Sequence, residues 1–356
     1  MILTRLRLHD FRTYEDLDIS FDPGLTLVLG ENATGKTNLV EAIHYLSLAR
    51  SWRSKEDGTL VRDGASIARV EAEVREGLLI RRLEIEIGKN SKRILLNGKP
   101  IRRLSELSKV TNVICFSPTD VPLFAGSPGE RRAFLDVSLS KRSSDYFSLI
   151  SRYNRLLKER NAALKSRNPD LVLLDSLSEQ LVSLAEPIVR YRSLYVASLN
   201  GVLPDLLSRL KGENTPCEVT YRPFVRPDDD FKRKAIKAFL DARESDLIHG
   251  STSVGPHRED IGFKQNGKDI ATRGSQGENR MAVLALKLAP SLLVEDEEKK
   301  PICVLDDVTS ELDRENIKRL IETLRDFGQV FLTATNLDIP EASIVDVSIN
   351  HATRRN

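Results

Sequence analysis

At 356 residues the chain is long enough for one large domain with a lobe, or for two ordinary domains with well-filled cores. Its 40% hydrophobic and 30% charged residues, with no low-complexity tract, exclude the disordered, collagenous and membrane classes and point to a globular protein. The formal net charge is only +2, so affinity for nucleic acid has to come from a local patch or from two subunits adding their fields.

No apolar run approaches the roughly 18 to 20 residues that span a bilayer, and no membrane partner is expected. The stretch from Met1 to Asp10 alternates apolar and basic residues and lacks the apolar core and cleavage site of a signal peptide. It reads as a β-strand, and the protein as cytoplasmic. Cys115, Cys217 and Cys303 are far apart and odd in number, which favours buried small hydrophobes over disulfides or a metal site. The histidines, His9, His44, His249, His257 and His351, show no ligand spacing.

In chain order, alternating apolar positions predict strands at 2–8, 17–21 and 25–29. The last runs into a Gly-rich turn and an amphipathic helix over 35–48. Three more strands are predicted at 68–74, 79–87 and 93–96, ending at Asn97-Gly98, a dipeptide suited to a type I′ hairpin turn. After an apolar strand at 112–116 the texture changes, and 129–211 is helical in period, with Leu149, Ile150, Tyr153, Leu156, Leu157 and Leu164 on one stripe. From 247 the mixed character returns, with a hairpin about Asn266-Gly267, helices at 276–293 and 312–327, and strands at 302–305 and 330–334. The expectation is an α/β fold: a nucleotide-binding domain made of 1–120 and 247–356, interrupted by a mainly helical lobe at 121–246. There is no internal repeat and no heptad run of coiled-coil length.

Gly30, Glu31, Asn32, Ala33, Thr34, Gly35, Lys36 and Thr37 fit the phosphate-loop pattern G-x-x-x-x-G-K-[ST], between a predicted strand and a predicted helix as that motif requires. The glycines let the backbone curl so that N–H groups point at phosphate oxygens, and the following helix presents its positive end. Lys36 is expected to neutralise β- and γ-phosphate charge and Thr37 to ligate Mg²⁺, which makes ATP and Mg²⁺ the expected cofactors. The bland alternative is a Gly-rich turn without a ligand. A phosphate loop alone does not choose among kinases, GTPases, transporters and motors.

The apolar run 302–305 ends in Asp306 and Asp307, as a buried central strand does when it delivers acids to the carboxyl edge of a sheet. Asp306 is expected to hold Mg²⁺ through its water shell, and Asp307 to orient or deprotonate the attacking water. Judged alone, the pair also reads as a plain strand cap. Ser275, Gln276 and Gly277 open the helix at 276–293 about 30 residues upstream. A Ser-x-Gly turn at a helix N-terminus offers a hydroxyl, free N–H groups and the helix dipole to a γ-phosphate, and equally reads as an ordinary N-cap.

These motifs and their spacing resemble ATP-binding-cassette (ABC-type) P-loop ATPases. Gly35-Lys-Thr-Asn-Leu-Val-Glu-Ala-Ile43 and the opening Leu-His-Asp-Phe-Arg12 are similar to the structural-maintenance ATPases. Phe116-Ser-Pro-Thr-Asp120, Gly126-Ser-Pro-Gly-Glu-Arg-Arg-Ala-Phe-Leu-Asp136, Leu156-Leu-Lys-Glu-Arg-Asn-Ala-Ala-Leu164, Gly255-Pro-His-Arg-Glu-Asp260 and Asp306-Asp-Val-Thr-Ser-Glu-Leu-Asp313 together resemble the RecF family of bacterial recombination mediators. The resemblance implies a DNA-binding ATPase that dimerises on ATP, recognises single-stranded, gapped or junction DNA, and works with RecR and RecO to load RecA. It also implies that Ser275, Gln276 and Gly277 contact the nucleotide held by the other subunit, across an interface lined by Thr309 to Asp313. Three positions depart from the pattern. Glu278 stands where glutamine is usual, Asp307 where transporter cassettes carry glutamate, and Thr335 at roughly the place of their switch histidine. A shorter base and no histidine imply slow hydrolysis, with ATP as a timer more than a fuel.

Residues 129–168 hold ten basic against four acidic residues, more positive charge than the whole chain carries net. Phosphate contact by this row is expected to be sequence-indifferent and salt-sensitive. Two other readings stay open: a solvated helix face, and, for Arg131 and Arg132, a brace between lobes. No groove-reading motif is visible. The competing class is a P-loop ATPase or kinase subunit acting on a non-DNA substrate, but no acceptor site accompanies the loop. About 240 residues between the phosphate loop and Ser275 leave no room for long coiled-coil arms.

Overall fold

A computed structural model of the chain describes residues 1–101, 106–349 and 351–355. It divides into two compact units, one of residues 1–121, 205–215 and 280–356 and the other of residues 122–204 and 216–279.

The first unit contains two six-stranded sheets. One is antiparallel, in the order β2 (Tyr14–Ser20), β1 (Ile2–Phe11), β4 (Ile67–Glu76), β5 (Leu79–Gly88), β6 (Lys92–Leu96), β7 (Lys99–Pro100). Its strands alternate buried and exposed residues, as a sheet with one wet face does. The other is ordered β15 (His351–Arg355), β14 (Ser343–Ser348), β3 (Gly24–Leu29), β13 (Gln329–Ala334), β12 (Ile302–Leu305), β8 (Val113–Phe116). All its pairings are parallel except that of β15 with β14. Every residue of β12 and β13 is buried, which is why β12 reads as an unbroken apolar run and β13 as one interrupted only by Gln329 and Thr333.

Helix α1 (Lys36–Leu48) contacts strands of both sheets, and Leu39, Val40, Ala42, Ile43, Tyr45 and Leu46 have no exposed surface. A helix apolar on nearly all sides is a buried one, and this one joins the two sheets in a single core. Gln329 ties the sheets directly: its buried amide accepts from Leu3 N at 2.8 Å and donates to the carbonyls of Leu3 at 3.0 Å and Asp22 at 2.9 Å. The short α2 (Leu107–Val110) and α10 (Arg314–Leu324) complete this unit.

The second unit is mainly helical, with α3 (Pro128–Arg142), α4 (Ser144–Leu164), most of α5 (Leu171–Lys211), α6 (Phe231–Asp241), α7 (Arg243–His249) and α8 (Ile270–Arg273). The opening residues of α9 (Gln276–Leu292) also belong to it. Ser127 and Glu130 form a reciprocal capping box at the start of α3, with Pro128 in its first turn, so this Ser-Pro-Gly-Glu motif is a helix start. The unit also holds a sheet of β9 (Cys217–Arg222), β10 (Asp260–Gln265) and β11 (Lys268–Asp269).

The units part at 279/280, whereas periodicity placed the return of the mixed domain at 247. The cause is strand pairing: β10 lies against β9 from Asp260↔Arg222 to Gln265↔Cys217, so the Asn266-Gly267 hairpin belongs with the helices. Cys115 and Cys303 are buried as expected and Cys217 is half-buried, and none of the three is in a disulfide among the described residues. Among the described residues no helix is long and apolar enough to cross a membrane.

Candidate functional site

The phosphate loop lies between β3 and α1 in the first unit. Its backbone turns through positive φ at Ala33 (66°) and Gly35 (114°). A Cβ on Gly35 would sit 3.1 Å from the Tyr14 hydroxyl, which donates to the Gly35 carbonyl at 3.2 Å. A Cβ on Gly30 would sit 2.3 Å from the Val347 carbonyl oxygen. Two glycines of the motif are therefore required by sterics before any ligand is considered. The Lys36 ammonium arches back over the loop and donates to the carbonyls of Gly30 (2.5 Å) and Glu31 (2.7 Å). Burial lowers its pKa, while Asp307 and Asp306 pull in the opposite direction.

Behind the loop, Glu41 of α1 is fully buried and ionically satisfied. Arg12 holds both its oxygens, at 3.0 and 2.9 Å, Arg53 donates to it at 3.1 Å, and Ser51 bonds it as well. A buried carboxylate needs such company, since removing one partner strands a charge. Arg12 of the opening motif thus clamps the helix that follows the phosphate loop. Arg53 also bonds Asn38 at 2.8 Å, and Asn38 bonds Thr13 at 3.1 Å.

The acidic pair arrives from β12. Asp306 is 5% exposed, and its Oδ1 accepts from the Thr37 hydroxyl at 3.1 Å and the Thr333 hydroxyl at 2.9 Å. Burial raises its pKa, against the pull of these two donors. The Thr37 hydroxyl and the Asp306 carboxylate make a pair of hard oxygens from two elements, a donor set that fits Mg²⁺. Asp307 is exposed, with backbone φ of 51°, and its N–H donates to Thr333 Oγ1 at 2.8 Å. On α9, Arg280 is 3% exposed and donates to the carbonyls of Asp307 (2.9 Å) and Val308 (3.1 Å), and it pairs with Glu311. Thr335 lines a cleft of about 500 Å³ with Gly30, Glu31 and Asn336.

The structure therefore assembles Lys36, Thr37, Asp306 and Asp307 beyond the carboxyl ends of β3 and β12, the two strands that flank β13. Sequence reasoning missed Thr333, Arg280 and Tyr14. No spacing rule marks a threonine inside an apolar strand or an arginine one turn into an apolar helix.

Ser275, Gln276 and Gly277 belong to the second unit and are exposed. Ser275 N donates to Glu278 Oε2 at 2.8 Å, and Glu278 N donates to Ser275 Oγ at 3.2 Å. Glu278 thus serves as the reciprocal partner of a capping box, a task a glutamine also performs. The serine oxygen accepts in this box, so its own proton stays free to donate outward. Among the described residues nothing lies within 4 Å of a Cβ built on Gly277, so this turn presents a bare surface.

The basic row of the second unit separates into two sets. Arg152, Arg155 and Lys158 of α4 are exposed and make no ion pair among the described residues. Arg160, by contrast, is 1% exposed and bonded to Asp246 (2.8 Å), Thr252 (2.8 Å) and Ser178 (2.9 Å), so it leaves the row. Arg131 grips Asp260 through two bonds of 2.7 and 2.8 Å, and Arg132 donates to the Glu259 carbonyl at 2.8 Å. These two arginines brace the second unit internally. Their partners come from Gly255 to Asp260, a motif whose other side chains are also used in packing: Glu259 meets the buried Arg192 at 2.7 Å, and His257 Nδ1 accepts from Tyr153 at 2.8 Å.

Residues 2–354 match the family described as RecF/RecN/SMC N terminal domain. The chain is 38% identical over 365 residues to the DNA replication and repair protein RecF of Geobacillus thermodenitrificans, covering 98% of each. It is 36% identical over 349 residues to that of Lactobacillus johnsonii, covering 95% of this chain and 93% of the relative. A solved structure of the recombination mediator protein RecF-ATP in the RecFOR pathway superposes with a TM-score of 0.91 at 30% identity, over 99% of this chain and 97% of that one. An Smc head domain from Pyrococcus furiosus shares the fold, with a TM-score of 0.59 at 16% identity. The chain, an α/β protein with the ABC-type ATPase fold, belongs to the RecF family within the larger RecF/RecN/SMC group.

Proposed function

We propose that this protein is an ATP-dependent, DNA-binding protein of recombinational repair and replication restart, and that ATP closes two copies into a dimer. The observation that carries the reading is the assembly of Lys36, Thr37, Asp306 and Asp307 about one phosphate loop. Gly30 to Thr37 cradle the ATP phosphates, Thr37 and Asp306 hold Mg²⁺, and the exposed Asp307 orients the attacking water. Mg²⁺ supplies charge neutralisation between the phosphates when bound. Ser275, Gln276 and Gly277, exposed on the second unit, touch the γ-phosphate held by the twin subunit. Hydrolysis is slow and resets the clamp.

The exposed Arg152, Arg155 and Lys158 supply the DNA surface, which tracks backbone phosphates without reading bases. The DNA replication and repair proteins RecF to which the chain is similar, and the RecF-ATP structure, support this reading, and family resemblance adds RecR and RecO as partners in loading recombinase onto gapped DNA. Sedimentation with and without ATP tests it. The wild type dimerises with ATP, Lys36→Ala stays monomeric and binds no nucleotide, and Asp307→Asn accumulates as an ATP-bound dimer. A wild type that remains monomeric under every condition refutes the clamp. ATP-driven dimerisation with no effect on DNA binding favours an ATPase acting on another substrate.

A further inference from the structure

We infer that Thr333 is a positioning residue that sets the geometry of both acidic side chains at the end of β12, an inference that rests on reading the site as one for Mg²⁺ and ATP. Thr333 lies on β13, the neighbour of β12, and is 1% exposed. Its hydroxyl has two partners of opposite kind. The Asp307 N–H, 2.8 Å away, can only donate, so the oxygen accepts there. The hydroxyl proton is then committed to Asp306 Oδ1 at 2.9 Å, since an ionised carboxylate can only accept. The amide, the hydroxyl and the carboxylate form a chain with a single direction.

Two consequences follow from that direction. First, Asp306 Oδ1 receives hydroxyls from two separate elements, Thr333 on β13 and Thr37 on α1. The terminal torsion of an aspartate is otherwise broad, and two donors on one oxygen pin it. Oδ2 carries no hydrogen bond among the described residues and is presented in one orientation. Second, Asp307 holds a positive φ of 51° that strains a non-glycine residue. The bond from its N–H to Thr333, together with the Arg280 bonds beyond it, keeps the backbone there. One hydroxyl therefore couples the carboxylate facing the metal to the backbone carrying the water-orienting one.

A merely structural Thr333 lowers stability alike with and without metal. A positioning Thr333 acts on the response to Mg²⁺. The test is ATP binding by calorimetry on the full chain, in EDTA and in Mg²⁺, for the wild type, Thr333→Val and Thr333→Ser. In EDTA the three agree within about twofold, whereas Mg²⁺ strengthens ATP binding to Thr333→Val about 10-fold less than to the wild type, as expected when a partner of a metal-facing carboxylate is removed. Thr333→Ser restores the wild-type response. If Thr333→Val does not fold, Thr333→Ala, which deletes the hydroxyl without adding a methyl, is compared with Thr333→Ser in the same way. A valine or alanine variant with the full Mg²⁺ response overturns the inference alone. A wild type whose ATP binding ignores Mg²⁺ overturns both the inference and the reading beneath it.

Discussion

The guanidinium of Arg280, one turn into α9, donates to the main-chain carbonyl of Asp307 over 2.9 Å and buries itself in doing so. The part of α9 that lies in the first unit is thereby tied to the backbone that carries the carboxylate expected to act on water. Arg280→Ala removes the donor from the carbonyls of Asp307 and Val308, and bonds of this charge-assisted kind contribute about 1.5 to 3 kcal/mol. Urea denaturation should show a loss of that order, with Glu311 adding little because its side chain is largely exposed.

Glycines of the two motifs should respond differently to alanine. Gly30→Ala places a methyl into the Val347 carbonyl, an overpacking expected to cost about 1 to 3 kcal/mol in denaturant titration and to weaken nucleotide binding. Gly277→Ala meets nothing within 4 Å among the described residues and sits in the first turn of a helix. Its stability should equal or slightly exceed that of the wild type, while ATP-driven dimerisation measured by sedimentation should fall.

Burial holds the His257 imidazole down at about 4, from an ordinary 6.5, with the nearby Arg258 and Arg132 reinforcing it and a bond to the Thr252 carbonyl opposing it. Nε2 donates to that carbonyl, so Nδ1 accepts from Tyr153, and a second proton has no place to go. Between pH 6.5 and 4 the unfolded chain takes up a proton that the folded protein refuses, so stability falls as pH drops through this window. The full shift corresponds to about 3 kcal/mol. Thermal unfolding of His257→Asn, which keeps an acceptor for Tyr153, should show a shallower decline over the same window than the wild type.

Reversing Arg152, Arg155 and Lys158 to glutamate should weaken DNA binding and lower the slope of log affinity against log salt by about 2 to 3 units if each faces a phosphate. ATP binding should be unchanged. Gel shifts of gapped, single-stranded and duplex DNA across a salt series measure both quantities, and an unaltered slope moves the DNA surface elsewhere.

The local geometry of the candidate site was legible because it is bound to short sequence patterns. Residues 30–37 announce a loop whose glycines are demanded by close neighbours, and Asp306 and Asp307 follow an apolar run that only a fully buried strand produces. Less was legible wherever a residue's meaning depends on a distant partner. Arg160 and Arg152 look alike in a basic row, yet one is sealed against Asp246 and the other faces solvent. Thr333 looks like one more β-branched residue in a strand until Asp306 and Asp307 are found beside it. The same holds for β9, whose pairing with β10 moved a hairpin out of the mixed domain.

By itself the sequence determined the phosphate loop, the acid-tipped strand, the serine-glycine helix start and the helical lobe, because backbone conformation and burial period are written in neighbouring residues. Only the tertiary structure decided which charges are spent inside the protein and which remain for a ligand. Desolvation and hydrogen-bond geometry act between side chains that the chain order keeps far apart, as Arg12 and Glu41, Thr37 and Asp306, and Arg280 and Asp307 each demonstrate.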